Sequence, residues 1–591
     1  MCGISGWYLK PGEQRDRSHL RAMADAIAHR GPDDRGYYFD HASRVAFAHN
    51  RLSIIDLSAA GHQPMTSEDG LYALNYNGEL YNFLELRKEL EQRGHQFRSR
   101  SDTEVVLRSF IEWGPRSVER FCGMFAFAVW SAQSRKLFFA RDPLGIKPLY
   151  YATFPSDKGF VFASEIKAFL RLPDFRVRVN RSAIEQFLEF GYTFETHATS
   201  LEGVYKLPPG HTMEVVEGVA ETPRPFYIPK TSDTSDRPGA KEREEQLYNV
   251  LSEVVSQHLI SDVPVGLLLS GGIDSSVAAA LAARHTRITT ISMGFAESKI
   301  DERPYARIVS DRIGSDHREV VIRPQEISDS LEEVTWYFDD LFADWGTVST
   351  RLLYQKCREQ GIKVVLVGEG SDELFGGYSI FEEARQSRGP TMWRLFQLYR
   401  RYAGRRHGSQ FGKFSNLMRS YLQQSGGDMF DAVRLFETRN QLPNNYVMKV
   451  DKASMSVSVE ARAPFLDRRV ADLAYATPAR HLLTGNTNKY LLRSMAERFD
   501  LLPREITRRA KFGASIAASW MDESEQFREY ARQVILDRRG WVDELGLRGA
   551  MTDYFGGRRK GYTFPRAISI FSNLAWRLLL LNLWSKRYAG V

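Results

Sequence analysis

The first residue able to do chemistry is a cysteine at position 2. A small second residue permits removal of Met1, which leaves Cys2 with a thiol and a free α-amino group. That amine has a reference pKa of about 7.7–8, so near neutrality it can take the thiol proton. One residue then supplies nucleophile and base. Two further groups stand later in the chain. Ser270-Gly271-Gly272-Ile273-Asp274-Ser275-Ser276 lies between an apolar run and a helix start, where backbone N–H groups and the helix N-terminus make an anion site. It is not a Walker A loop, because no Gly-Lys-Ser/Thr follows. Gly368-Glu369-Gly370-Ser371-Asp372-Glu373-Leu374-Phe375-Gly376-Gly377-Tyr378 places four glycines and three carboxylates in eleven residues after the apolar run 363–367. A solvated acidic turn explains the acids but not that glycine density.

The company Cys2 keeps is specific. Met1-Cys2-Gly3-Ile4, His29-Arg30-Gly31-Pro32-Asp33, Arg51-Leu52-Ser53-Ile54, Asn77-Gly78-Glu79-Leu80-Tyr81-Asn82 and Ser101-Asp102-Thr103-Glu104 follow in order, then Arg141-Asp142-Pro143-Leu144-Gly145-Ile146-Lys147-Pro148-Leu149-Tyr150. In these motifs the chain resembles the class II (N-terminal nucleophile, Ntn) glutamine amidotransferases of the asparagine synthetase type. The resemblance implies that Cys2 attacks the glutamine side-chain amide. It makes the Asn77 side chain and the Gly78 N–H the oxyanion donors, which such an attack needs. It also implies that Arg51 takes the glutamine carboxylate, as a bidentate fork can, and that Glu79 and Asp102 take its ammonium.

The Ser270–Ser276 stretch resembles the pyrophosphate loop of ATP pyrophosphatases, which split ATP into AMP and pyrophosphate. Resemblance to asparagine synthetases makes Ser270, Gly271, Gly272, Asp274 and Ser275 part of an ATP site with Leu268, Met293, Val367 and Gly368. Family members usually carry Ser where Val367 stands. The same resemblance assigns Mg²⁺ to Asp274 and Asp372, hard oxygen ligands for a hard cation, and assigns Glu369 to the ammonia attack on the activated acyl group. Val450-Asp451-Lys452-Ala453-Ser454-Met455 and Glu460-Ala461-Arg462-Ala463-Pro464-Phe465-Leu466-Asp467 extend the likeness. Arg509-Ala510-Lys511-Phe512-Gly513 matches the segment whose lysine, here Lys511, faces the acyl-adenylate.

These residues need elements to position them, and 591 residues hold several folding units. Hydrophobic residues at 43% and charged residues at 26% are an ordinary globular mix, which excludes disordered, collagen-like and coiled-coil chains. The first two hundred residues read as short strands with a few helices, for example a helix through Leu20, Met23 and Ile27 that ends at Gly31-Pro32. After a polar stretch near 229–241, strand runs at 263–269, 288–295 and 363–367 alternate with helices such as 275–284, an α/β pattern. The expected fold class is an α+β Ntn-hydrolase domain, an αββα sandwich by resemblance, followed by an α/β ATP-pyrophosphatase domain with a mostly parallel sheet. The expected boundaries are 2–215 for the glutaminase, 216–242 for a connector and 243–591 for the synthetase.

Net charge is +7, mild for this length and suited to anionic small substrates rather than nucleic acid. Three scattered cysteines make neither a disulfide framework nor a CxxC metal site. No secretory leader is visible, and the apolar stretch 567–584 is broken by Arg577 and falls short of a membrane span. The expectation is a cytoplasmic enzyme, possible as a homodimer, that couples glutamine hydrolysis to ATP-dependent amidation of a carboxylate through an acyl-AMP, with aspartate the best acceptor. The alternative is another carboxylate, such as a surface-sugar uronic acid, a peptide or an antibiotic precursor. Two departures keep it open: segment 342–350 lacks the family's usual acceptor-side Ser and Pro-Thr spacing, and run 393–407 interleaves arginines with Trp393, Phe396, Tyr399 and Tyr402. From a different class, a nucleic-acid-binding protein with a dead synthetase fold would show salt-sensitive RNA binding and no glutaminase.

Overall fold

Side chains buried on both faces of the same strands set the architecture of the N-terminal half. In Gly3–Leu9, Ile4 and Tyr8 pack to one side, Trp7 and Leu9 to the other. In Gly123–Ser131, Ala126, Ala128 and Trp130 alternate with Phe125, Phe127 and Val129 in the same way. Such strands belong to sheets covered on both faces. The structure, a computed structural model, describes residues 2–40, 44–154, 158–231, 239–296, 301–403, 408–485, 487–509, 521, 524–537, 540–557 and 570–589.

One antiparallel sheet runs in the order Val204–Lys206, Tyr150–Thr153, Gly159–Ala163, Gly3–Leu9, Val45–Arg51, Asp34–Phe39. The other runs Val219–Ala220, His211–Val216, Lys136–Arg141, Gly123–Ser131, Tyr72–Leu80, Met65–Thr66. Helix Arg17–Ala26 covers the first sheet through Leu20 and Met23, and helices Phe83–Gln92 and Asp102–Trp113 cover the second through Leu86, Leu90, Val106 and Phe110. This is the αββα sandwich. The second sheet also enters the segment read as connector. Glu217 and Gly218 both take positive φ, a tight turn that folds Val219–Ala220 back onto Val215 and Val216, and Arg224–Pro225 pairs with His211 and Thr212.

The second half is built on a five-stranded sheet in the order Asp316–Ile322, Thr289–Phe295, Val265–Leu268, Val364–Leu366, Glu460–Arg462, and all four pairings are parallel. Helix Ala240–His258 opens this half, and the glycine turn after Val265–Leu268 leads into helix Ile273–Ala282. The late apolar stretch forms helix Ile570–Trp584, whose Leu574, Leu578 and Leu581 are buried. It packs against helices Glu525–Ile535 and Pro324–Tyr337. Among the described residues no helix is long and apolar enough to cross a membrane.

Candidate active site

Cys2 leads into strand Gly3–Leu9 and is buried, and burial pushes its thiol pKa up. Its backbone N donates to Asn77 Oδ1 at 3.0 Å, while the buried Asn77 Nδ2 has no hydrogen-bond partner, leaving a donor beside the cysteine for a ligand oxygen. Gly78 stands opposite Phe125 in the sheet, and Phe125 turns its own N–H and C=O away to Asp142. Gly78 therefore sits at a non-hydrogen-bonded position with its N–H on the other edge of the strand. Along that edge the N–H groups of Tyr76 and Leu80 reach Gln63 Oε1 and Asp102 Oδ2, each at 2.9 Å. Only glycine fits at 78, because a Cβ there would lie 2.4 Å from the Met124 carbonyl oxygen.

The three residues assigned to the rest of glutamine are placed unequally. Asp102, in the first turn of helix Asp102–Trp113, also accepts from the Tyr76 hydroxyl at 3.1 Å. Burial raises its pKa, and those hydrogen bonds oppose the rise. Glu79 pairs with Arg462 Nη2 at 3.2 Å. The Nη atoms of Arg51 hold the carbonyls of Ile55, Asp56 and Ser58, at 3.3, 2.5 and 3.2 Å, so this guanidinium shapes the adjoining loop.

The second site lies at the C-terminal ends of three adjacent parallel strands, where open α/β sheets take ligands. Leu268 ends one strand, Val367 follows the next and Met293 lies near the end of the third. In the loop between strand and helix, Ser270 Oγ meets Ser275 Oγ at 3.1 Å and accepts from Gly272 N at 3.3 Å. Gly368 is pressed on this loop: a Cβ there would lie 3.0 Å from Ser275 N and 3.2 Å from Asp274 Cβ. Ser371 Oγ closes the contact by donating to Asp274 Oδ1 at 2.7 Å.

A cavity of about 200 Å³ opens here, lined by Ser270, Gly272, Asp274, Asp372 and Arg509, and by four residues that stand in none of the sequence motifs: Glu302, Asn488, Lys489 and Arg493. Lys489 Nζ lies 2.6 Å from Asp274 Oδ2 and 2.7 Å from Asp372 Oδ1. Burial works against its charge, but the two carboxylates raise its pKa. Two carboxylates that reach one ammonium can reach one divalent ion, and Mg²⁺ needs few protein ligands because phosphates and water complete its shell. The donor set therefore fits Mg²⁺, although no three or more such side chains converge among the described residues. Arg493 is held by the carbonyls of Asn488 and Thr507, and Arg509 pairs with Glu302 at 2.8 Å over the Tyr305 ring. Glu369 is raised by burial, with Lys449 opposing, and Lys449 itself pairs with Asp344 at 3.2 Å. Lys511 falls outside the described residues.

The glutamine amidotransferase domain model matches residues 1–227 and the asparagine synthase model residues 246–586. Asparagine synthetase [glutamine-hydrolyzing] 1 of Bacillus subtilis is 31% identical over 90% of each chain. The chain belongs to the glutamine-hydrolysing asparagine synthetase family. It is a glutamine-dependent carbon–nitrogen ligase. A putative asparagine synthetase of Mycobacterium tuberculosis is 32% identical over 99% of this chain and 97% of its own. Amidase chry2 of Gibberella zeae is 34% identical over 66% and 62%.

In this family member the two halves share buried contacts. Arg30 donates from Nε to the Cys2 carbonyl at 3.0 Å and from Nη1 and Nη2 to Asp451 at 2.9 and 3.1 Å. Its Nη1 also meets Glu165 at 2.9 Å, and Lys452 continues the chain to Asp339 at 2.7 Å. Leu52, Ile54, Tyr81 and Met124 of the amidotransferase half pack with Val364 and Met455 of the synthetase half.

Proposed function

We propose that the chain converts aspartate to asparagine with ATP and glutamine, releasing AMP, pyrophosphate and glutamate. Cys2 attacks the glutamine amide carbon as its own α-amine takes the thiol proton. Asn77 Nδ2 and the Gly78 N–H receive the oxyanion. Glu79 and Asp102 hold the ammonium of glutamine, and Arg51 orders the loop that meets its carboxylate. Asp274 and Asp372 hold Mg²⁺, which offsets phosphate charge when bound. Lys489 and Arg493 add fixed positive charge where pyrophosphate departs, and Lys511 is assigned to the same task. Leu268, Met293, Val367 and Gly368 border the nucleotide. Glu369 acts on ammonia at the acyl-adenylate. Ammonia crosses through the apolar cluster of Leu52, Tyr81, Met124, Val364 and Met455, because in bulk water most of it would become ammonium. With Cys2, Cys122 and Cys357 all unpaired, we place the enzyme in the cytoplasm.

The observation that carries this reading is Arg30, which binds the Cys2 carbonyl and Asp451 of the synthetase half with one side chain. Pyrophosphate release with glutamine as the only nitrogen source tests it: aspartate should drive release and succinate, lacking the amine, should not. A second reading keeps the chemistry and changes the acceptor to a larger carboxylate. It is favoured by segment 342–350, where Trp345 stacks on Trp576 at 4.5 Å and binds Asn573 through its indole N–H. Release that ignores aspartate while glutaminase runs would select it.

A further inference from the structure

Helix Thr391–Ala403 buries Leu395, Leu398, Tyr399 and Ala403 and turns a different kind of surface outward. Met392, Trp393 and Phe396 are 42%, 54% and 42% exposed. At 3.6 residues per turn these three and Arg400 fall within about 100° of one another, one continuous face. The other large exposed apolar residues are scattered singly along the chain, as Leu57, Leu84 or Val321 are. Single exposed apolar side chains need no explanation, whereas a group does.

The sequence that carries this helix is one-sided in charge. Residues 384–427 hold eight arginines and one lysine and no aspartate or glutamate. Against a net +7 for the whole chain, everything outside this stretch is slightly acidic. Arg385 and Arg401 are paired with Glu382 and Glu383 of the preceding helix, and Lys413 with Glu195. Arg388, Arg394, Arg400 and Arg419 meet no carboxylate among the described residues: Arg388 reaches backbone carbonyls, Arg394 the Ser387 hydroxyl, Arg400 lies over the Phe396 ring at 5.9 Å and Arg419 reaches the Met392 sulphur.

We propose that this face docks the enzyme on an anionic lipid bilayer. Aromatic and thioether side chains flanked by arginines are what an interfacial helix presents, with the apolar group entering the headgroup boundary and the guanidinium groups lying at the lipid phosphates. A helix Met side chain offers no ring for a base, and single-strand nucleic acid sites line grooves that follow the backbone, not the outward crest of a helix. Docking through this face sets where the enzyme works, whichever acceptor it amidates.

The test is sedimentation of the full chain with vesicles of phosphatidylcholine alone and with vesicles containing about a third phosphatidylglycerol. The chain should sediment with the anionic vesicles only. Trp393→Ser with Phe396→Ser should abolish this. Arg388→Ser with Arg400→Ser should weaken it roughly 25-fold, about fivefold for each arginine. Leu84→Ser with Val321→Ser, exposed apolar positions elsewhere, should leave it unchanged. All the variants should hydrolyse glutamine at the parent rate, which establishes that they are folded. A chain that stays in the supernatant with both vesicles overturns the proposal, as does equal binding to both. Sedimentation unaffected by the aromatic pair also overturns it, as does RNA binding through these residues without vesicle binding.

Discussion

Burial raises the pKa of the Cys2 thiol, so the proposed attack depends on a neutral α-amine to take its proton. Glutaminase kcat/KM should therefore rise about tenfold per pH unit below the amine's pKa of about 7.7–8 and level above it. A pH profile flat from 6 to 8 would remove the amine from the mechanism. Cys2→Ala should end glutamine-dependent amidation and spare ammonia-dependent amidation. Removing the unpartnered Asn77 Nδ2 with Asn77→Ala should lower glutaminase kcat by about 10²–10³ with KM little changed. At the other site, Asp372→Asn and Lys489→Met should each collapse pyrophosphate release while glutamine hydrolysis continues. Cys2, Asn77-Gly78 and the Ser270–Ser276 loop can be singled out from sequence because each is a short run with a distinctive residue pattern. Lys489 cannot: it reaches Asp274 from 215 positions away and stands in none of the motifs.

Strand Glu460–Arg462 links the two sites directly. The Arg462 carbonyl accepts from Val367 N at 2.9 Å, next to Gly368 and the candidate nucleotide site, and its guanidinium spans Glu460 and Glu79. Arg462→Met should therefore damage glutamine hydrolysis from within the synthetase sheet. Leaving Glu79 and Glu460 buried without it should cost about 3–5 kcal/mol in urea unfolding. The Arg30 contact carries a pH signature. Burial opposes ionisation of Asp451, but Arg30 and Lys147 outweigh it and hold the carboxyl below its usual range. That stability is fully present above the unfolded value of about 3.9 and is lost as pH falls through the lower folded value. Asp451→Asn should lower the urea midpoint at neutral pH and flatten its fall below about pH 4. Three of the five parallel strands could be read from their apolar runs, but Asp316–Ile322 and Glu460–Arg462, rich in charged residues, could not. The buried charges could not, since Arg30, Glu165, Lys452 and Asp339 have the residue types of a solvated surface and only the packing of two halves hides them.

At the scale of the molecule, an Ntn-type sandwich and a parallel-sheet synthetase are held together by ion pairs around an apolar cluster. The sequence pattern separated them at the polar stretch near 229–241, but the sandwich runs further than expected because Val219–Ala220 and Arg224–Pro225 return to its second sheet. Two isolated catalysts would need no such frame. The proposed function gives this arrangement a purpose, to carry nitrogen from glutamine to the activated acceptor without meeting bulk water. The direct test is amidation with glutamine carrying ¹⁵N in its amide, in a solution holding an excess of unlabelled ammonium. The account predicts that the amide product carries the glutamine label almost undiluted. A product whose label matches the bulk ammonium pool would contradict it.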